Sequence, residues 1–283
     1  MNNFRLNLIK EAKNGLEQEL KELNNSTTCQ DSESLVMITN LINSAAGADI
    51  YTKDSEGFTV LHRLVEDETN LTPCQFHTIV QFLNTKNLSS IFNTPGEFTI
   101  IGKTNTSISY NFYMKYSTPF QLAVKKFEVE NRVLTFFREN GIDFNSVDEE
   151  GQSVLHYAIF GHRSVELLSQ LVATGADWRY ANPQDFNWSY LHYAVVFGTI
   201  EQIKFFLDLG LDINTRDLLN FTPLHRATCS RLKNRLQVVQ FLIENGADVK
   251  ARTNFNKTPY GYLTYCSNPS LDKDKVAELL TQA

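Results

Sequence analysis

The chain has 283 residues, enough for about two ordinary domains or one elongated array. Hydrophobic residues make up 42% and charged residues 20%, a composition that folds and does not remain disordered. The formal net charge of -6 argues against a general nucleic-acid binder, which shows a basic surplus. Cys29, Cys74, Cys229 and Cys266 are scattered without a CxxC pair. That spacing argues against a disulfide framework or a zinc ribbon and fits a reducing compartment such as the cytoplasm. The opening stretch, MNNFRLNLIKEAKNG, is too polar for a signal peptide. The longest apolar stretch, around Tyr193 to Phe197, is too short to span a bilayer.

In chain order, the first recurring pattern is Thr59-Val60-Leu61-His62. A helix is expected from about Thr72 to Asn84, with Thr72 as its cap and Pro73 at its first position. An irregular stretch follows. Phe98 to Ile101 and Ile108 to Tyr116 are rich in β-branched and aromatic residues, with Gly102 to Thr106 as turn chemistry between them. This predicts a β-hairpin, inserted at about 90–117, that leans on neighbouring loops or on a partner, because a hairpin alone is marginal in water. The pattern then returns as Thr118-Pro119-Phe120-Gln121, Ser153-Val154-Leu155-His156, Ser189-Tyr190-Leu191-His192, Thr222-Pro223-Leu224-His225 and Thr258-Pro259-Tyr260-Gly261. The steps between starts are 59, 35, 36, 33 and 36 residues. A second pattern keeps phase with it, at Gly47-Ala48-Asp49, Gly141-Ile142-Asp143, Gly175-Ala176-Asp177, Gly210-Leu211-Asp212 and Gly246-Ala247-Asp248.

Each unit has a physical reading. The Ser or Thr caps a short helix, and proline suits its first position. Ala123, Ala158, Ala194 and Ala227 recur on that helix, where a small side chain lets a neighbouring helix come close. A second amphipathic helix follows, as in Ile200, Ile203, Phe206 and Leu207. Its end carries a glycine, suited to a left-handed residue. Such a unit cannot bury its apolar faces alone and must stack on copies of itself.

These motifs resemble the ankyrin repeat family. The TPLH-x-A pattern is best kept in Thr222-Pro223-Leu224-His225-Arg226-Ala227, and the GAD pattern in Gly246-Ala247-Asp248. The resemblance implies an all-α solenoid of stacked helix-turn-helix units with β-turn fingers, over roughly residues 46–283. Residues 1–45 then read as a divergent helical capping unit, and residues from about 249 as the C-terminal capping repeat. Leu64 and Leu263 replace the small alanine in the first and last units, and Gly261 replaces the histidine, as befits units with one side facing water. The family implies that its motif histidine braces the loop through hydrogen bonds to backbone.

That role competes with catalysis or metal binding for His62, His156, His192 and His225. Equivalent residues in stacked helices lie roughly 8–10 Å apart, while zinc takes nitrogens at about 2.0–2.1 Å, so the four cannot share an ion. His162 follows Gly161 at the turn between two helices, and His77 is a lone helical histidine. No GxSxG, HExxH, GxxxxGK[ST] or GxGxxG occurs. Neither a catalytic residue nor a cofactor or metal site is expected.

Fingers carry the candidate contacts. Eleven residues separate Asp177 from Ser189, where nine fill that interval in four other units. The lengthened stretch holds Trp178, Tyr180, Phe186 and Trp188. Tryptophan, tyrosine and arginine dominate interface energetics. Each tryptophan either packs on adjacent fingers or meets a partner, so Arg179, Tyr180 and Phe186 are the best expected exposures, with Trp188 beside them. Arg216, Leu218 and Leu219 on the next finger, and Arg252 and Phe255 on the one after, extend the stripe. Tyr110, Phe112 and Tyr113 are the hairpin candidates. Asp148-Glu149-Glu150 reads as a solvated turn or a contact for a basic partner. Arg226, Arg231, Lys233 and Arg235 read as an exposed cationic inter-helix loop or a contact for an acidic one. Leu207 to Asn214 resembles the asparagine-hydroxylation context of ankyrin proteins, with Asn214 as acceptor.

The expected function is binding of a protein partner by a monomeric module, through finger loops, concave helices and the hairpin. An enzyme or enzyme subunit using the hairpin and N-terminal region, and a self-assembling structural protein, are the rival readings. Asparagine is abundant and lysine exceeds arginine, 15 to 11. Such bias is common in AT-rich genomes, including those of intracellular bacteria, where ankyrin proteins often look like effectors acting in the host cytosol.

Overall fold

The computed structural model describes residues 53, 58, 59, 61, 62, 65, 76, 80, 89–95, 117–264 and 273–282. The chain divides into two compact units, Met1–Asp143 and Phe144–Ala283. The described residues hold ten α-helices and one two-stranded sheet.

In the first unit, helices α1 (Pro119–Lys126) and α2 (Asn131–Glu139) follow a 3-10 turn at Ser89–Asn93. Thr118 caps α1 by accepting from the Gln121 N–H, and Gln121 Oε1 accepts from the Thr118 N–H at 2.8 Å. Glutamine thus makes the capping contact that histidine makes in the other repeats. The core is aromatic. Phe137 packs 4.8 Å from Phe92 and 5.1 Å from Phe120, ring centre to ring centre, while Phe76 stacks on Phe127. His62 and Ser117 sit on either side of the expected insertion, yet His62 Nε2 meets the Ser117 carbonyl at 2.9 Å. Asn93 donates to the Gly141 carbonyl and accepts from the Asp143 N–H. The repeat is therefore in register at both residue 93 and residue 117. Between Asn93 and Thr118 lie 17 residues more than between Asn145 and Ser153. The predicted hairpin strands lie outside the described residues.

The second unit stacks α3 (Val154–Phe160), α5 (Tyr190–Phe197), α7 (Pro223–Thr228) and α9 (Pro259–Leu263) side by side. Behind them lie α4 (Val165–Thr174), α6 (Ile200–Asp208), α8 (Arg235–Glu244) and α10 (Lys273–Gln282). Ala158, Ala194 and Ala227 are buried where the front helices approach, and Leu263 fills that place in the last one. Tyr190 stacks on Phe206 at 5.2 Å, joining the front and back layers. The sheet pairs β1 (Ala181–Asn182) with β2 (Trp188–Ser189), antiparallel, inside the lengthened finger.

Two expectations need correction. Cys229 is disulfide-bonded. A single pair is not a framework, and the scattered spacing carried no signal for it. The basic cluster is also not one exposed loop. The Arg226 guanidinium pairs with the buried Asp217 carboxylate, and Arg235 is buried, donating to the Thr228 carbonyl. Arg231 and Lys233 remain exposed.

Among the described residues no helix is long and apolar enough to cross a membrane. None of them forms a group of three or more histidine, cysteine or acidic side chains able to hold a metal ion.

Candidate functional site: a ridge of finger tips

Four fingers rise from the second unit, at residues 144–152, 178–188, 213–221 and 249–257. Three of them are each built on one polar residue at their middle. Asp217 Oδ1 accepts from the N–H groups of Leu219 and Phe221, at 2.8 and 2.9 Å, while its other oxygen takes the Arg226 guanidinium. Asp148 accepts from the Gln152 N–H and the Tyr157 hydroxyl, both at 2.7 Å. Burial pushes the Asp148 carboxyl above the usual carboxylate range. Thr253 Oγ1 accepts from the N–H groups of Phe255 and Lys257. The Asp148-Glu149-Glu150 turn is therefore not simply solvated: Asp148 is a buried organiser of its finger, and Glu149 is exposed.

Every finger reverses at a left-handed residue, Gly151, Asn187, Asn220 or Asn256, with φ of 73°, 59°, 60° and 56°. Asparagine and glycine adopt that region most readily. At Gly151 the requirement is double, since a Cβ there would collide with Asn182 Oδ1. Phe186 also lies at φ 51°, which an aromatic side chain seldom adopts. Such strain persists only where surroundings hold it, and it clusters at functional sites.

The tips are tied together. The Leu218 N–H donates to the Phe186 carbonyl at 2.8 Å, and the Asn254 N–H to the Leu219 carbonyl at 3.0 Å. Asn220 Nδ2 donates to Asn254 Oδ1 at 2.6 Å, and Asn254 Nδ2 to the Leu218 carbonyl. On this backbone ladder Phe186, Leu218 and Phe255 stand 51%, 60% and 62% exposed. Arg216 donates to the Arg252 carbonyl, and Arg252 to that of Asn256. Both arginines are exposed and lie along the ridge.

The predicted contacts divide accordingly. Phe186, Leu218, Phe255, Arg216 and Arg252 share the ridge, and Leu219 is half-buried beside them. Arg179 is exposed but stacked on Trp178, its guanidinium 3.9 Å from the ring centre. Tyr180, expected among the most exposed, is half-buried, and its hydroxyl donates to the Gly151 carbonyl. Trp188 is half-buried beneath the Arg226 guanidinium, 4.5 Å from the ring centre. Tyr110, Phe112 and Tyr113 lie outside the described residues. Asn214, the modification candidate, has its amide fully engaged: Nδ2 donates to the Gly246 carbonyl and Oδ1 accepts from the Asp248 N–H.

That last arrangement was missed in the sequence. Asn145 does the same for Gly175 and Asp177, as Asn93 does for Gly141 and Asp143. An asparagine four residues after Gly141 and after Gly210 was the available signal. The lengthened finger carries Arg179 there instead and lacks this clamp.

The motif histidines act as braces. Nδ1 of His62, His192 and His225 accepts from the N–H of the capping Thr or Ser. Their Nε2 then carries the proton and meets a carbonyl of the following finger, that of Ser117, Phe221 or Lys257. His156 makes the first bond, from the Ser153 N–H at 2.9 Å. Its Nε2 has no hydrogen-bond partner, and the Tyr190 and Tyr193 rings pack 4.6 and 4.4 Å away. Burial drives the His156 pKa down to about 3. His192 is lowered to about 4, chiefly by burial. Both side chains are buried neutral braces, unsuited to proton transfer at neutral pH.

Comparison with known proteins places this geometry in context. A family model described as ankyrin repeats (3 copies) matches residues 120–217 and 164–253. The chain is similar to serine/threonine-protein kinase 12 of Arabidopsis thaliana, 35% identical over 89 residues, 31% of this chain and 18% of that protein. It is similar to alpha-latrocrustotoxin-Lt1a of Latrodectus tredecimguttatus, 30% identical over 129 residues, 45% of this chain and 9% of the toxin. It is also similar to the probable 26S proteasome regulatory subunit p28 of Saccharomyces cerevisiae, 32% identical over 115 residues, 40% of this chain and 49% of the subunit. The matches thus span about half or less of those relatives' lengths.

Proposed function

Since residues 120–253 of this chain are ankyrin repeats, which are protein–protein interaction modules and generally non-catalytic, we propose that the protein binds a protein partner along its finger ridge. The observation that carries this reading is the exposure of one large apolar side chain on each of three successive fingers, Phe186, Leu218 and Phe255. Scattered exposed apolar residues are normal on any surface; an aligned row rimmed by polar groups marks an interaction site. The ladder fixes the tips before binding, so little ordering entropy is lost when a partner arrives.

Capture from cell lysate tests the reading, comparing the intact chain with F186A/L218A/F255A. All three side chains are exposed, so circular dichroism should be unchanged. Loss of the captured protein supports the ridge, and full retention sinks it. Deletion of residues 96–116 asks the same of the hairpin candidates Tyr110, Phe112 and Tyr113, since the braces at His62 and Asn93 hold the array on either side.

Cytoplasmic action, as an effector on host proteins or otherwise, belongs to this proposal on composition alone. The Cys229 disulfide sets its test: alkylation of the protein inside host cytosol should find Cys229 reduced, and persistent protection there contradicts that location. Hydroxylation of Asn214 is read from intact mass after treatment with an asparagine hydroxylase. A gain of one oxygen that vanishes in Asn214→Ala supports it.

A further inference from the structure

The ridge changes sign along its length. Residues 144–152 carry Asp148, Glu149 and Glu150 and no cation. Residues 178–188 carry Arg179 and Asp185, one of each sign. Residues 213–221 and 249–257 reverse the balance. They hold Arg216, Lys250, Arg252 and Lys257 against a single carboxylate, Asp217, which is buried and paired with Arg226. Asp212 and Asp248 are exposed just before these two fingers, beside the loop glycines, where each accepts from a backbone N–H two residues on.

Arg216 and Arg252 occupy the same place on successive fingers, immediately before the residue that organises the turn, Asp217 or Thr253. Both are exposed, and both meet neutral oxygens. Arg216 Nη1 donates to the Arg252 carbonyl, and Arg252 Nη1 to the carbonyl and Oδ1 of Asn256. Among the described residues neither pairs with a carboxylate. A guanidinium carries five N–H donors in a fixed fork that matches a carboxylate, so donors remain for an incoming acid.

Range decides whether these charges count on a chain whose net charge is -6. At physiological ionic strength the Debye length is about 8 Å, close to the roughly 8–10 Å between packed helices. Charges more than a repeat away are largely screened, so a partner on the last two fingers meets the local arginines. The same fingers display Leu218 and Phe255, and Phe186 joins them through its carbonyl at the Leu218 N–H. An apolar centre with a polar rim is the anatomy of a protein interface. A nucleic acid or an anionic bilayer draws on runs of cations, which these fingers lack.

Resting on the finger-ridge reading above, we propose that the partner is a protein presenting an acidic patch around apolar side chains, and that this patch seats on the fingers at 213–221 and 249–257. Its carboxylates meet Arg216 and Arg252, and its apolar side chains cover Phe186, Leu218 and Phe255. The tips supply the anchors, and the arginines supply selectivity and speed of encounter.

The test titrates the full chain with three sets of twelve-residue peptides. All carry Leu and Phe at the same positions, with Glu, Ser or Lys at the others. The Glu set should bind best, and more weakly as salt rises. R216E/R252E should weaken that binding roughly tenfold and shift the preference to the Lys set. R216Q/R252Q, which keeps side-chain donors, should abolish the preference for Glu without reversing it. E149K, two repeats away, should leave the Glu set unchanged. F186A/L218A/F255A should lose every set, all variants keeping native circular dichroism. No binding by any set, a wild-type preference for Ser or Lys, or a preference for Glu that survives R216E/R252E overturns the proposal. An effect of E149K as large as that of R216E/R252E also overturns it, since net charge would then be what is read. So does tighter binding to poly(U) RNA or to phosphatidylserine vesicles than to the Glu set. Lysate capture separates the two levels. If the tip variant loses its protein partner while the peptides show no preference for Glu, the acidic partner falls and the ridge reading stands. If the tip variant keeps its partner, both fall.

Discussion

The fingers at 178–188 and 213–221 start from the same plan and end in different physical states. The second is fully braced: His225 links it to the following finger, Asn214 clamps the following loop, and Asp217 organises its turn with a charged partner. The first has two extra residues, a short strand pair and a 3-10 turn. Arg179 stands where the clamp asparagine belongs, and the brace that should reach this finger, from His156, ends in an unpartnered N–H. It also holds Phe186 at a left-handed φ of 51° and half exposed. The lengthened finger replaces the histidine and asparagine links with others, from Asn182 to the Glu150 carbonyl and from Tyr180 to that of Gly151, and displays Phe186. That is the pattern of a site shaped by something other than stability.

Acid should weaken the braces most. His156 and His192 have folded-state pKa values of about 3 and about 4, against about 6.5 in an unfolded chain. The unfolded state therefore binds the protons first. The stability these neutral histidines allow is complete above about pH 6.5 and is lost as pH falls from there toward 4. The slope is about 1.4 kcal/mol per pH unit for each histidine. Urea midpoints between pH 7 and 4.5 should fall steeply, and a flat profile would break the assignment of both side chains as neutral braces.

Asn214→Ala should cost about 1–2 kcal/mol, since it leaves the Gly246 carbonyl and the Asp248 N–H without their partner. The same urea titration reads it, and a loss under a few tenths would remove the clamp from the account. Phe186→Gly sharpens the contrast from the other side. Glycine relieves the left-handed backbone, so stability should rise by about 1 kcal/mol while capture of the partner declines. A fall in both would make Phe186 a packing residue. The smallest effect is expected for Arg179→Asn, which installs the missing clamp toward Gly210 and Asp212. A gain of about 0.5–1 kcal/mol is expected, seen as a rise of a few degrees in Tm.

The array was legible in the sequence because its signals repeat. The cap, the small residue and the loop glycine each return in phase, and tertiary packing has no reason to override any of them. Leu263 for alanine could also be read, since it falls at a known position; the cap role of Gln121 came only from the structure. The site was legible in part. Phe186, Leu218 and Phe255 stood out as large apolar residues in loops. Tyr180 did not separate from them, because its burial depends on a contact with Gly151 29 residues earlier. Arg226 and Arg235 were indistinguishable from Arg231 and Lys233 as charges in a run; only the helix face and the buried Asp217 tell them apart. Cys229 paired against the expectation from spacing, because covalent partners are set by proximity in the fold and not along the chain.

Site-specific photo-crosslinking tests the central claim most directly. A photoreactive residue placed at Leu218, on the ridge, is compared with one at Val165, exposed at the start of α4. The account predicts a covalent adduct with the captured partner from position 218 and none from 165. An adduct from 165 with none from 218 would contradict it, and would move recognition from the finger tips to the back layer of helices.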